Sequence, residues 1–523
     1  MNLYKRGGFE MRKKFLVAIL LCSVCLLSPF YSTFAANPPD TVVIALDSDL
    51  EKLHAPQLMM REDQIVGMQI YDTLLHRSQD MEIGPGLAES YHSINSTTYE
   101  FKLRKGVKFH NGEPFTAHAV KHTIEFILTP ENKSPMLGRF SIIKEVKIID
   151  DYTLRIITTD PWPLMEERLC LLWIHAPKYL EEKGAQYYNE HPVGTGPFRF
   201  VKWVQKDEVV LKANKEYWRG APKFENLIFR VIPESSSRLA ALRTGAVDIV
   251  RKISPDQIPL IEKWDNTRLS SVPILRVVYF FFPDWAWGTK KDSPVNDKRV
   301  RMALNLAIDR NGIVNNLLMG KGKPLATIVN PSQFGYDPAL KVYPYDPEGA
   351  KKLLAEAGYP NGFTIDMNQV TSRVMKSREI VAVMIDMFKK VGVTINLHYH
   401  DQEAAYTSLL RARKLSGIAG FNWGSYGIMD AEGILWDVAT TNGNVTYSTL
   451  SDQDVDKWLL EARSTIDKAK RKDLFFKVQR RMYDLASHIP LHSQYEIEGV
   501  NKRLIHEARA DEYLWAYDIV IKK

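Results

Sequence analysis

Apolar residues fall in two patterns along the chain. Up to about residue 230 short strand-like runs dominate. Thr41 to Ala45 (TVVIA) is continuously apolar and β-branched, which suits a buried strand. Thr98 to Leu103 (TYEFKL) alternates, as a half-buried strand does. Glu145 to Ile157 predicts two strands about a turn at Asp150-Asp151, and Phe198 to Leu211 predicts two more. Two helices interrupt them: Ile65 to Leu75, and Ala117 to Leu128 with Thr116 placed to cap it. Gly106 and Asn111-Gly112 mark turns.

From Pro233 onward helix and strand alternate. Ser235–Thr244 is helical with Gly245 just past its end, and Asp248–Val250 is a short strand. Val277 to Pro283 (VVYFFFP) is a very apolar strand. Asp297 to Asp309 is amphipathic, with Val300, Ala303, Leu304 and Ala307 on one face. Helix 346–357, strand 363–367, helix 378–391, strand 394–398 and helix 403–414 follow. Two charged helices near 452–463 and 467–486 precede a strand over Ile489–Glu496. This alternation predicts an α/β fold. A chain of 523 residues exceeds what one core supports, so more than one domain is expected. No low-complexity linker separates them, so the joints are strands or short crossings.

The amino end reads as an export signal. Lys5, Arg6, Arg12, Lys13 and Lys14 precede an apolar run, Phe15 to Leu27, that is too short to span a bilayer. Small residues at Ala35-Ala36 place cleavage after Ala35, giving a signal over 1–35 and a periplasmic protein; Met11 offers a second start. Neither Cys22 nor Cys25 follows a small residue, so no lipid anchor is expected. Removing the signal lowers the net charge from +7 to +3, because five positive charges and Glu10 leave. That balance supplies no basic stripe for nucleic acid. Cys170 then stands alone and is read as a buried apolar thiol.

Catalytic motifs are missing from the sequence: there is no GxSxG, HExxH, Walker A or CxxC. Gly194-Thr195-Gly196-Pro197 is not a phosphate cradle, because its proline blocks the helix start. His118 and His122 have the i, i+4 spacing that metals accept, with exposed helical histidine as the plainer reading. His398 and His400 share one face of a strand, a spacing that metals accept, with exposure to solvent at a strand end as the plainer reading; His488 and His492 suit structural roles.

Several stretches resemble one family. Gly86-Leu87-Ala88-Glu89-Ser90, Thr98 through Gly112 (TYEFKLRKGVKFHNG), Pro114-Phe115-Thr116-Ala117, Gly194 through Phe198, Arg243 through Ile249, Asp297 through Ala303, Ala307 through Arg310, and Tyr345-Asp346-Pro347 through Pro360 stand in the order typical of the family 5 extracellular solute-binding proteins, the peptide/nickel class of receptors for ABC importers. The resemblance covers nearly all of the chain after the signal. It implies a two-lobed periplasmic-binding-protein fold (type II-like) with an extra subdomain in the first lobe. The first lobe is expected over 36–283 with the subdomain at about 86–190, the second over 284–490, and 491–523 returns to the first. It implies capture of a peptide or peptide-like solute by hinge closure and delivery to a membrane permease, as a monomer and without a cofactor.

In the family, the segment following the tryptophan of Gly420-Phe421-Asn422-Trp423-Gly424 lines the cleft, and peptide-binding members carry an Asp three residues after it. Here that position is Tyr426. Either Asp430 substitutes for the missing carboxylate, or the solute is a nickel chelate or opine-like compound. Trp423 offers a stacking face or a core ring, Arg139 a carboxylate contact or a surface charge, and Asn422 and Gln64 polar contacts. A secreted metal-dependent hydrolase using His118 and His122 is the alternative from another class.

Overall fold

The computed structural model describes residues 37–371, 374–424, 427–441 and 447–522. The expected signal over 1–35 and Tyr426 lie outside the described residues.

An eleven-stranded sheet runs through the molecule. In spatial order its main path is Val393–His400, Phe363–Val370, Ile418–Trp423, Thr267–Phe281, His488–Asn501, Ile249–Val250, Thr41–Leu46, Asn226–Val231, Glu208–Ala213 and Phe198–Val204, with Gly322–Pro324 joined to His488–Asn501. The two long central strands are antiparallel and carry the chain from one half of the sheet to the other. Thr267–Pro273 pairs with Tyr495–Asn501, and Val277–Phe281 pairs with His488–Ser493, with a register shift between Pro273 and Val277. Irregularities of this kind bend a ribbon and raise its local twist.

The apolar strands feed two cores each. Val277, Tyr279 and Phe281 enter one buried cluster, and Val278, Phe280 and Phe282 enter another on the opposite face. Thr41–Leu46 does the same, sending Val42, Ile44 and Leu46 one way and Val43 and Ala45 the other. Side chains alternate across a strand, so continuous apolar sequence means cover on both faces. Four such clusters make up the cores, two drawn from the 277–491 part of the chain and two from the rest apart from Ile428. This is the mixed α/β, two-lobed arrangement that the sequence predicts.

A separate antiparallel sheet, Ala88–Asn95, Thr98–Leu103, Thr153–Thr158 and Ile143–Asp150 in spatial order, is packed by the helix Ala117–Leu128 through Val120 and Ile124. Thr116 stands in extended backbone before that helix but makes no capping hydrogen bond with its side chain.

Two elements and one side chain differ from the sequence expectation in ways that bear on the site. The helix expected over Ile65–Leu75 runs instead over Arg61–Ile70. Its last carbonyl, Ile70 O, accepts from Gly196 N at 2.8 Å, so it is not available to continue the helix. The motif Gly194-Thr195-Gly196 therefore docks a helix end: a Cβ on Gly194 would lie 2.1 Å from Ile70 O, and Thr195 Oγ1 donates to Asp72 at 2.8 Å. The strand expected over Val277–Pro283 begins at Thr267, because its half-exposed first part pairs with the C-terminal strand, while Pro283 opens the short helix Pro283–Trp287. Cys170 is half-buried rather than buried, and lines a cavity of about 50 Å³ beside Arg77, His76 and Asp511. Burial pushes its thiol up to about 12, so it is protonated and unreactive at neutral pH.

Candidate functional site

The strand Ile418–Trp423 is buried along its whole length and ends at the junction between the two halves of the sheet. There Asn422 faces Arg276, which sits inside the register shift of the central ribbon. Arg276 Nη1 donates to Asn422 Oδ1 at 2.6 Å, and its Nη2 donates to Glu512 Oε2 at 2.8 Å. Glu512 comes from the segment after the last long strand, where its backbone has positive φ (63°). One guanidinium thus ties a strand of the second lobe to the C-terminal return.

Three polar atoms in this cluster are buried without a hydrogen-bond partner among the described residues: Asn422 Nδ2, Glu512 Oε1 and Arg61 Nη1. Burial pushes the Glu512 carboxyl up, but Arg276, Arg61 and Arg251 outweigh it and hold the group below the usual carboxylate range. Arg61, at the start of the helix Arg61–Ile70, stacks its guanidinium 4.3 Å from the Tyr513 ring centre. One turn on, Gln64 Oε1 accepts from Tyr513 Oη at 2.9 Å. Gly424 closes the cluster from the other side; a Cβ there would lie 3.0 Å from Glu512 Oε1 and 3.2 Å from Arg276 Nη2.

Other contacts join the two sides further out. Met429 N donates to Glu167 Oε2 at 3.1 Å, and the same carboxylate pairs with Arg77. Arg168 is held below its ordinary value by burial and by the neighbouring Arg139 charge, with Glu432 and Asp437 of the second lobe opposing.

The six residues singled out from sequence take different places. Asn422 and Gln64 lie in the junction. Trp423 is buried, donates its indole N–H to Gly433 O at 2.7 Å and packs edge-on against Tyr447, so it supports the segment after it. Asp430 is engaged on both oxygens by Arg471, whose Nη2 also donates to Glu432 at 2.8 Å. Burial pushes Asp430 up to about 6 in spite of Arg471, and its Oδ1 also accepts from Glu432 N. This carboxylate is spent inside the second lobe. Arg139 is half-buried, with Nη1 3.3 Å from Met136 Sδ. Tyr426 is outside the described residues.

Arg61, Arg276, Glu512 and Tyr513 escaped sequence reading. They belong to a helix start, a ribbon and a C-terminal loop that only the fold assembles. The apolar break at Arg276 between Leu275 and Val277 was the one available signal.

His118 is exposed, whereas His122 turns inward, its Nδ1 2.7 Å from His175 Nε2. Among the described residues no group of three or more His, Cys, Asp or Glu can hold a metal ion. His488 lies between Thr449 and Ser487 in the core, and His492 Nδ1 contacts Ser493 O, as structural histidines do. His398 and His400 pair with Asp366 and Asn368 on the neighbouring strand. Among the described residues no helix is long and apolar enough to cross a membrane.

Residues 82–445 match the model of bacterial extracellular solute-binding proteins, family 5 middle. The glutathione-binding protein GsiB of Shigella dysenteriae serotype 1 is 30% identical over 474 residues, 88% of this chain and 91% of that protein. In fold the chain is similar to the ABC transporter substrate-binding protein CtaP of Listeria monocytogenes (TM-score 0.83, 22% identity, 92% and 99% of the two chains). It is also similar to NikZ of Campylobacter jejuni in complex with Ni(L-His) (TM-score 0.80, 22% identity, 92% and 100%).

Proposed function

The chain belongs to the bacterial extracellular solute-binding proteins of family 5, and from that premise we propose that it is the extracytoplasmic receptor of an ABC importer, exported by residues 1–35, which captures a peptide or peptide-like solute between its lobes. It works as a periplasmic monomer, makes and breaks no bond, needs no cofactor and passes the solute unchanged to a membrane permease. The observation that carries this reading is the junction at Arg276, where the second lobe (Asn422, Gly424) meets the C-terminal return (Glu512, Tyr513) across buried polar atoms. Buried polar groups without partners each cost about 1–3 kcal/mol. Closure over a solute that supplies those partners is favoured over closure over none, and this differential is what drives a hinge. A micromolar solute brings about 8 kcal/mol, enough for docking and closure together.

We place the joint between lobes at Pro273–Val277 and at the opposing Ser493–Tyr495, where the ribbon changes register, rather than at 283/284 and 490/491. Glutathione, for which the relative GsiB is named, and small peptides are the first solutes to test. Native mass spectrometry of protein purified without refolding, followed by calorimetry with those solutes, tests the reading. A co-purified peptide mass, micromolar binding and a smaller radius of gyration on binding are expected; a chemically altered solute would refute it.

A second reading, a nickel chelate or opine-like solute, is favoured by Tyr426 at the position where peptide-binding members carry Asp. It predicts that nickel with histidine displaces no peptide and binds by itself.

A further inference from the structure

We propose that Glu512 is the ammonium receptor of the solute site, its Oε1 taking the free ammonium of an aminoacyl group while Asn422 Nδ2 and Arg61 Nη1 donate to that group's adjoining carbonyl or carboxylate oxygens. The inference rests on the peptide-like solute proposed above and names the part of it that is read first.

The carboxylates around the junction are spoken for one by one. Asp430 is held by Arg471, and Asp511 by Arg509 at 2.6 Å. Glu496 is held by Arg251 at 3.0 Å; Glu498 has His506 at 2.7 Å on Oε2, and its Oε1, buried without a hydrogen bond, is ion-paired with Arg251 Nε at 3.4 Å. Glu167 is taken by Arg77 and Met429. Glu512 differs. Arg276 occupies Oε2 by two N–H groups, at 2.8 and 3.2 Å, and fixes the plane of the carboxylate. Oε1 is buried and accepts from nothing among the described residues.

The donors lie on the same cluster. Arg276 holds Asn422 by its oxygen, which leaves Nδ2 as a buried, unused donor. Arg61 is positioned by Tyr513, the residue next to Glu512. One buried anionic acceptor and two buried donors form the complement of an ammonium with an oxygen acceptor on the next carbon. An N-terminal residue of a peptide and an α-amino acid head group both have this chemistry. The carboxylate remains ionised, so the contact is charge-assisted. Gly424 adds a reason for its own identity. A Cβ there would lie 3.0 Å from Oε1, so a side chain would crowd the receptor oxygen.

The arrangement also answers the sequence puzzle at Tyr426. The missing carboxylate is supplied from the opposite lobe, through the C-terminal return.

The test is calorimetry with a mixed dipeptide pool and reduced glutathione, each with and without N-acetylation, on the wild-type full chain and on Glu512→Gln. N-acetylation is expected to weaken binding by tenfold to roughly a hundredfold in the wild type, and Glu512→Gln to weaken the free-amine solutes similarly. In the variant, free and N-acetylated solutes should bind alike. A preference for dipeptides over glutathione identifies an N-terminal residue as the source of the ammonium, and the reverse identifies an α-amino acid head group. Equal wild-type affinity for free and N-acetylated solutes overturns the role of Glu512 but leaves a peptide receptor. Binding of none of the four overturns the peptide reading and this inference with it.

Discussion

The backbone N–H of Met429 donates to Glu167 Oε2 at 3.1 Å while Arg77 holds the same oxygen. Met429 follows the strand that ends at Trp423, and Glu167 lies on the short helix Met165–Leu169 of the first lobe. The contact therefore joins the part of the chain after Trp423 to the part that holds Glu167. Glu167→Ala is expected to raise the solute Kd about tenfold, the worth of one charge-assisted hydrogen bond. Calorimetry checks this, and stopped-flow fluorescence should place the change in the off-rate.

Arg276 is the keystone of the polar junction, so its loss strands a buried carboxylate. Arg276→Met is expected to lower stability by roughly 3 kcal/mol and to abolish high-affinity binding. Urea unfolding followed by intrinsic fluorescence measures the first and calorimetry the second. An unchanged urea midpoint would contradict the ion pair with Glu512.

Acid should unfold the protein early. Burial depresses His488 and His54 to about 3 and His492 and His110 to about 4. His76 is likewise about 3, from burial and then from Arg219 and Arg509. Folded-state values below the unfolded value mean that the unfolded chain binds more protons. Their contribution is full above about pH 6.5 and is lost as pH falls, by about 2 kcal/mol per histidine at pH 5. Asp63 and Asp430, pushed up to about 6 by burial, act in the opposite direction between about pH 6 and 4, but they are fewer. Urea midpoints should therefore drop between pH 7.5 and 5. A His488→Asn variant should show a shallower drop.

Gly194 is expected to tolerate no side chain. A Cβ would sit 2.1 Å from the Ile70 carbonyl oxygen, and backbone cannot step aside as a side-chain end can. Gly194→Ala should cost roughly 3 kcal/mol. It should also weaken solute binding, because the helix it docks carries Arg61 and Gln64. Gly138→Ala, where a Cβ meets nothing within 4 Å, serves as the neutral comparison.

Much of the fold was legible in the sequence because periodicity reports burial directly. The helix Ser235–Thr244 has its expected limits, and the expected face of Lys298–Leu306, with Val300, Ala303 and Leu304, is buried. The continuous run at Val277 reads as a strand covered on both sides because both cores take its side chains. Boundaries failed where a distant segment sets them: Gly196 stops the helix at Ile70, and Tyr495–Asn501 extends the ribbon back to Thr267. The candidate site was legible only beside Trp423, at Asn422, and at Gln64. Asp430 looked available because nothing in the sequence reveals that Arg471, on a helix beginning at Lys468, will claim it. Glu512 was invisible for the converse reason, since the fold delivers it from a loop without periodicity to a junction more than two hundred residues away in the chain.

Val277 lies directly opposite Ser493 in the central ribbon. Everything the chain builds between them leaves and rejoins its parent through neighbouring, hydrogen-bonded rails. A protease that severs one rail leaves the other to carry the load, so a singly nicked molecule should migrate as one particle until denaturant parts it.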